Sequence, residues 1–281
     1  MERKKIAIVG HGFVGKATDS IFDKDVDKLI IDPKYGNDIA DLKAFNPEFV
    51  FICVPTPMGK NGQDGKILED VINKLHKENI QAILIIKSTV IPSNLNKFED
   101  KFSDIIYNPE FLRERHAIED FIESEFIILG GESDVARRVA DLYKYNSKCK
   151  AEKYILTDIK KASLIKYTVN SFLASKVLFF NQINELFIAH GYKEKDWEEF
   201  IEIIALDERV GSSHMSVPGY DGRKGYGGAC FPKDIDALIK YADSIGINLE
   251  LLKNIQEINN DIRSGYTSIT DREEEQNIKF K

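Results

Sequence analysis

The sequence predicts an α/β protein: an N-terminal Rossmann-type, doubly wound parallel sheet followed by an α-helical domain with one long central helix. Three observations carry that expectation. A buried-strand run, Lys5-Ile6-Ala7-Ile8-Val9, leads directly into the glycine turn Gly10-His11-Gly12-Phe13-Val14-Gly15. Short apolar runs then alternate with helical stretches to about residue 156. Beyond Asp158 the apolar spacing becomes that of a single helix.

The elements follow in order. After the glycine turn a helix-compatible segment reaches about Phe22, and a second strand, Lys28 to Ile31, ends at Asp32. Further strands are expected at Glu48 to Val54, Ala82 to Ile86, Ile105 to Tyr107 and Phe126 to Leu129, short and apolar as a parallel sheet covered on both faces requires. From Asp158 to His190 the residues Ala162, Ile165, Val169, Phe172, Val177, Phe180, Ile183 and Phe187 recur at helical spacing, and Gly191 supplies a stop. At 1.5 Å per residue this helix is roughly 50 Å long, more than one small core covers, so its apolar stripe predicts a homodimer through the helical domain. Residues 1–157 are expected to form a dinucleotide-binding domain and 158–262 a helical domain, with 263–281 a polar tail that frays.

Bulk properties narrow the function. The chain has 281 residues, 43% of them hydrophobic, enough for a substantial core and too many for a disordered chain. Its 39 basic against 46 acidic residues leave a net charge of −7 with no long basic run, so nucleic acid is not an expected partner. The longest apolar stretches, such as Ile80 to Ile86, are too short to span a membrane, and no signal-peptide core is present, which reads as a cytoplasmic protein. Cys53, Cys149 and Cys230 have no disulfide or metal spacing, and the five histidines show no zinc-like pairing, so no metal site is expected.

The glycine turn has a mechanical reading. Gly10 makes the turn, Gly12 lets a pyrophosphate approach the backbone, Gly15 allows close helix packing, and the helix N-terminus, at Phe13 and Val14, faces the phosphates. Asp32, roughly 20 positions on, takes the ribose hydroxyls. That acid favours NAD, while Lys34 leaves NADP open. A second signal is Gly225-Tyr226-Gly227-Gly228-Ala229-Cys230-Phe231-Pro232-Lys233-Asp234. Pro232 and the following apolar periodicity mark a helix start, which places Cys230 at a helix N-terminus, beside Lys233, where a thiolate is stabilised. A small structural cysteine beside a tight turn is the equal alternative.

Four polar clusters accompany these signals. Thr89 follows a buried strand at its carboxyl end, where ligands bind in such sheets, or else caps a helix. Glu110 and Glu114, in Asn108-Pro109-Glu110-Phe111-Leu112-Arg113-Glu114, would share one face of a helix start, or else compensate its dipole. Lys166 and Asn170 put an ammonium and an amide on one side of the long helix, or else on a solvated face. Asp234, one turn past Cys230, is placed to orient a lysine or a water, or is ordinary N-terminal charge placement.

These motifs, together with Val54-Pro55-Thr56-Pro57, Lys87-Ser88-Thr89-Val90 and Arg209-Val210-Gly211, occur in an order that resembles the UDP-glucose and GDP-mannose dehydrogenase family over about residues 4 to 262. The resemblance implies a four-electron oxidation of a nucleotide sugar's primary alcohol by two successive NAD molecules. UDP-glucose stands ahead of GDP-mannose or a UDP-N-acetylhexosamine as the substrate. It makes Cys230 the nucleophile that carries a thiohemiacetal and then a thioester. It further implies Lys166 and Asn170 at the oxyanion, Asp234 assisting Lys166 or a water, Glu110 as general base, and Thr89 placing the water. Phe111, Leu112, Arg113 and Glu114 would lie along the substrate, joined by Arg209, His214, Tyr226 and Gly227, with Arg209 reaching from a neighbouring subunit. Thr56, Thr89, Glu114 and Lys233 would touch NAD.

Two departures from the family's pattern accompany the resemblance. Members continue into another Rossmann-like domain that holds much of the nucleotide, and residues 263–281 are too few to build it. Nucleotide recognition is then expected from the remaining site, a partner chain or a different substrate handle, with Arg223 and Lys224 candidates for the diphosphate. The interval between Asp32 and Glu48 is also short, so a helix and strand usual there are expected to be missing. The rival readings are a two-electron β-hydroxyacid dehydrogenase of related fold, which needs no cysteine, and a catalytically impaired NAD-binding subunit.

Overall fold

The computed structural model describes residues 3–22, 25–60, 62–99 and 101–280. In chain order the elements are β1 (Lys4–Val9), α1 (Phe13–Ile21), β2 (Val26–Ile31), α2 (Leu42–Phe45), β3 (Phe49–Ile52), β4 (Met58–Gly59), β5 (Gly62–Gln63), α3 (Lys66–Lys77), β6 (Ile83–Ile86) and α4 (Pro92–Glu99). There follow β7 (Ile105–Tyr107), α5 (Ala117–Ile122), β8 (Phe126–Gly131), α6 (Ser133–Asn146), β9 (Lys153–Thr157), α7 (Ile159–Ala189), α8 (Trp197–Ala205), α9 (Phe231–Ser244), α10 (Glu250–Ser264) and α11 (Asp271–Glu275). They fall into two compact units, one of residues 1–56 and 64–166 and the other of 57–63 and 167–281.

The first unit is a seven-stranded sheet in the order β2-β1-β3-β6-β7-β8-β9. Its strands are apolar on both faces because both are covered. Ile6, Ile8, Phe51 and Ile85 pack with Ala17 and Ile21 of α1, Phe121 of α5 and Val139 and Tyr143 of α6. Their sequence neighbours Ala7, Val9, Val50, Ile52 and Leu84 pack on the opposite face with Leu68 and Ile72 of α3, Leu95 of α4 and Ala162 of α7. The period-two alternation of strand side chains makes one sheet serve two cores. The expected all-parallel sheet needs one correction, since β8 runs antiparallel to β7, with β9 parallel to β8. Of the helix and strand expected to be missing between β2 and β3, the strand is absent, while the interval holds 3-10 turns and the single-turn helix α2.

The second unit is helical, with the two-stranded β4-β5 hairpin docked on α9. Ala174 and Leu178 of α7 pack with Tyr226, Ile235, Ile239 and Ile255, and Phe180 and Phe187 pack with Trp197, Ile201 and Met215. The inward stripe of α7 differs from the apolar pattern. Phe172, counted as inward, is 63% exposed, and Phe179 and Leu186, seven and fourteen residues on, share that exposed line at 57% and 55%. Buried instead are the polar residues Asn170, Ser171, Lys176, Asn181 and Asn184, of which Lys176 and Asn181 hold loops. Lys176 Nζ donates to the Val210 and Gly211 carbonyls at 2.9 and 3.0 Å, and Asn181 Oδ1 accepts from the Gly225 amide at 3.0 Å. Hydropathy spacing misses buried polar side chains whose partners are backbone groups, as those of Lys176 and Asn181 are.

The expected fraying after residue 262 is corrected too. Glu273, Gln276 and Ile278 are buried, α11 carries a capping box on Thr270, and the Gln276 carbonyl accepts from the Met58 amide at 3.0 Å.

Candidate active site

In the first unit the glycine turn joins β1 to α1 at the carboxyl end of the sheet. Gly10 has φ +89 and donates its amide to the Ile31 carbonyl at 2.8 Å. A Cβ at Gly15 would stand 2.0 Å from the Gly10 carbonyl oxygen, whereas one at Gly12, the α1 N-cap, would meet nothing within 4 Å. Gly10 and Gly15 are therefore fixed by the protein's own backbone, and the space at Gly12 is open to a ligand. That combination fits a dinucleotide pyrophosphate, with Phe13 and Val14 in the first helical turn. Gly12→Ala is expected to leave the thermal unfolding midpoint unchanged while weakening NAD binding about tenfold or more, because the new methyl occupies the approach to the backbone. Gly15→Ala is expected to destabilise the fold itself. Calorimetric NAD titration beside thermal unfolding separates the two.

Asp32 closes β2 and is well engaged. Its Oδ2 accepts from the His11 amide at 2.7 Å and its Oδ1 from the Lys34 amide at 3.1 Å, while Lys34 Nζ donates to the His11 carbonyl at 2.7 Å. Burial pushes the carboxyl up, but these amides and the Lys34 ammonium outweigh it and hold it below the ordinary range. His11 Nδ1 lies 2.8 Å from the Tyr35 hydroxyl. Neither His11 nor Tyr35 was legible as part of this corner from spacing alone. Thr56 is buried and donates to the Thr89 carbonyl at 2.8 Å, which ties the segments after β3 and β6 together.

After β7 the chain does not start a helix at Glu110. Residues 108–113 are irregular and Glu114 opens a short 3-10 turn, so the expected shared helix face of Glu110 and Glu114 is not formed. Glu110 is buried and Glu114 exposed. Glu110 Oε1 lies 3.2 Å from Lys166 Nζ, its Oε2 accepts from the Leu112 amide at 2.7 Å, and its carbonyl also accepts from Lys166. Burial pushes the Glu110 carboxyl up, but Lys166 and the Leu112 amide win and its pKa is lowered. Lys166 stands 5.2 Å from the centre of the half-buried Phe111 ring. Arg113 is exposed and forks onto Asp120 at 3.0 and 2.7 Å.

Beneath Glu110 lies a buried network that sequence spacing does not single out. Asn108 Oδ1 accepts from Lys87 Nζ at 3.0 Å and from the Tyr143 hydroxyl at 2.6 Å, and its amide donates to the Ile128 carbonyl. Burial pushes Lys87 down to about 8. Above that pH the folded chain has released a proton that the unfolded chain keeps to about 10.5, so stability is expected to rise across this window by up to about 3 kcal/mol. Urea unfolding of wild type against Lys87→Met at three pH values checks this, the variant losing the rise. Burial also pushes Cys53 up to about 12 and raises Cys149, which leaves both as thiols at neutral pH. Two hollows at the amino ends of β3 and β6, of about 340 and 530 Å³, are lined by none of the side chains selected from the sequence.

In the second unit Cys230 is the N-cap of α9, half-buried, with Pro232 in the first turn. Asp234, 1% exposed, donates its amide to the Cys230 carbonyl at 3.0 Å. Its carboxylate accepts from Asn170 Nδ2 at 2.6 Å and from Lys233 Nζ at 2.5 Å. Asn170 is thus held by an acid from the helix that Cys230 caps. Tyr226 is buried, with burial raising its hydroxyl well above its ordinary pKa, and packs edge-on to Phe231 at 6.3 Å. His214 adopts φ +64 and its ring lies 5.5 Å from that of Phe231. Arg209 is 89% exposed and bonds Asp207. Arg223 is committed to Ser268 at 2.7 and 3.0 Å, and Lys224 lies 3.6 Å from Glu185, so the pair expected at a diphosphate is engaged within the chain.

Comparison with known proteins points to one family. Residues 37–146 match the NAD binding domain of the UDP-glucose/GDP-mannose dehydrogenase family, and residues 160–261 match its central domain. The first match begins past Asp32, so the glycine turn stands on its own geometry. A UDP-glucose 6-dehydrogenase of Rickettsia typhi is 32% identical over 237 residues, 82% of this chain and 52% of that protein. One of Campylobacter jejuni is 30% identical in an alignment of 310 positions, gaps included, that covers 98% of this chain and 76% of that protein. A UDP-glucose dehydrogenase structure from the archaeon Pyrobaculum islandicum superposes with a TM-score of 0.72 at 23% identity, covering 92% of this chain and 68% of that one, a likeness of fold. The chain spans about half the length of the Rickettsia relative. Two successive domain matches and a relative aligned along nearly all of this sequence lead to one conclusion: the chain belongs to the UDP-glucose/GDP-mannose dehydrogenase family.

Proposed function

We propose that the chain oxidises the C6 alcohol of UDP-glucose to the carboxylate in two NAD-dependent steps, consuming one water and using Cys230 as nucleophile. The observation that carries this reading is Cys230 at the N-cap of α9, half-buried, directly ahead of the Asp234 carboxylate that holds Asn170. NAD, when bound, accepts one hydride in each step. The protein's part lies in the groups that bind, hold and move protons. The Gly12 amide region and Asp32 hold the pyrophosphate and ribose, with Thr56, Glu114 and Lys233 along the cofactor.

After the first oxidation the Cys230 thiolate adds to the aldehyde carbon, forming a C–S bond, and the carbonyl oxygen becomes a thiohemiacetal oxygen. Lys166 and the Asn170 amide supply donors to that oxygen. The second oxidation leaves a thioester. Water then attacks the acyl carbon, its proton passes to Glu110, and the C–S bond breaks to return the thiolate. The ionised Glu110 held by Lys166 is a base in the required protonation state, and Lys166 must turn from Glu110 toward the substrate oxygen for both roles to operate. Phe111 to Arg113 and Arg209, His214, Tyr226 and Gly227 are assigned to the sugar side. UDP-glucose is chosen because relatives at 30% identity or more bear that name.

A homodimer through α7 is part of this reading, supported by the exposed line Phe172, Phe179 and Leu186. Nicotinamide absorbance with limiting UDP-glucose, GDP-mannose or a UDP-N-acetylhexosamine tests the reaction. Two NADH per UDP-glucose is the expected yield. One would remove the thioester step, and turnover of another sugar alone would replace the substrate.

A further inference from the structure

The backbone that delivers Cys230 is held from a distance. Gly225, Gly227 and Gly228 have no side chains with which to anchor themselves, and the Tyr226 hydroxyl is buried without a hydrogen bond. The peptide groups of this loop are satisfied by other elements. The Tyr226 amide donates to Asn259 Oδ1 at 2.7 Å, and the Tyr226 carbonyl accepts from Asn259 Nδ2 and Arg263 Nε at 3.0 and 3.1 Å. The Gly228 amide, two residues before Cys230, donates to Glu273 Oε1 at 3.2 Å.

Arg263 and Glu273 are almost completely buried, at 3% and 0% exposure, and lie 4.0 Å apart, with Arg263 also forked onto Asp221 at 2.7 Å. A Cβ at Gly227 would stand 1.8 Å from Arg263 Nη2 and 2.5 Å from Glu273 Oε1, so the loop rests directly on this ion pair. Glu273 is oriented in turn by α11. Its Oε2 accepts from the Thr270 amide at 2.7 Å, and its own amide donates to Thr270 Oγ1 at 3.3 Å. The same segment reaches the preceding loop, where the Tyr266 hydroxyl accepts from the Lys224 amide at 2.8 Å.

We propose that residues 266–278 form a brace for the Cys230 loop, with Glu273 as its positioning residue. Glycines in succession have the largest backbone freedom of any residues, so a loop of this composition keeps one conformation only if its amides are bound. A buried ion pair supplies that definition through geometry more than through net stability. Held in this way, the Cys230 sulfur stays at the α9 N-terminus, where the first-turn amides favour the thiolate. The proposal rests on the reading of Cys230 as nucleophile.

Alkylation of Cys230 by iodoacetamide in the full chain, read from the mass of the Cys230 peptide so that Cys53 and Cys149 do not contribute, tests the brace without sugar or NAD. In folded protein Glu273→Ala is expected to slow alkylation about tenfold at neutral pH and to move its pH profile upward. Glu273→Gln keeps one acceptor for Gly228 but loses the charge facing Arg263 and the acceptor for the Thr270 amide, so its alkylation rate is expected to fall between wild type and Glu273→Ala. Thr270→Ala loosens α11 through its cap alone and is expected to slow alkylation about threefold, so it decides the matter if Glu273→Ala does not fold. Wild-type rates and pH profile in a folded Glu273→Ala, or in Thr270→Ala if that variant is needed, overturn the brace. Glu273-dependent alkylation in a protein that oxidises no nucleotide sugar would leave the brace standing and remove the proposed reaction.

Discussion

Cys230→Ser is expected to lower uronate formation by at least about a thousandfold and to reduce the NADH yield from two per UDP-glucose to at most one. The reason lies in the second oxidation. A thiolate at a helix N-terminus adds to an aldehyde and leaves readily from an acyl carbon, whereas a serine hydroxyl there is protonated at neutral pH and its ester hydrolyses slowly. The substitution should not harm the fold. Cys230 makes no side-chain capping bond to α9, and serine is among the favoured N-cap residues, so the unfolding midpoint is expected to hold or rise slightly. Stoichiometry, single-turnover rates and thermal unfolding on the same preparation distinguish a lost nucleophile from a lost structure. A variant that still forms two NADH at the wild-type rate overturns the assignment.

Lys166→Met is expected to cost about 3 to 5 kcal/mol of stability as well as activity, because it leaves the Glu110 carboxylate buried with the Leu112 amide as its remaining strong partner. The pH dependence gives a second signature. In the wild-type chain Glu110 has a lowered pKa, so its contribution is present above the ordinary glutamate range and is lost as pH falls through the folded value. Without Lys166 the burial effect is no longer offset and the carboxyl rises. Stability is then lost as pH increases through the unfolded-state value, the opposite slope. Denaturant unfolding from about pH 2 to 7 reads both slopes, the wild-type one below the ordinary glutamate range and the variant's above it. Lys166→Met with Glu110→Gln should recover part of the stability and none of the oxidation, since the buried charge is gone but the donor to the substrate oxygen is gone with it.

Much of the first unit was legible because its signals are local. The run Ile6 to Val9, the turn Gly10 to Gly15 and Asp32 lie within one βαβ stretch, and each step is a short-range steric or hydropathy rule. The β7-β8 reversal was not legible, since Phe126 to Leu129 is as apolar as any parallel strand and direction is set by pairing with Ile106 and Tyr107. In the helical part the span of α7 was clear while its inward face was not. Asn181 and Lys176 are buried to hold the Gly225 amide and the Val210 and Gly211 carbonyls, and hydropathy assigns no value to such bonds.

The order of elements, the glycine turn with its acid, the placement of Cys230 at the head of α9, and the family all follow from the amino-acid sequence. Chain connectivity and local sterics suffice for those, because the groups concerned are neighbours in sequence. Tertiary structure alone decided which polar groups meet across long separations: Glu110 with Lys166, Asp234 with Asn170, and Gly228 with Glu273. Burial makes an unmatched charge or amide costly, so each of these partners is chosen by the geometry of the folded chain and leaves no periodic trace in the sequence.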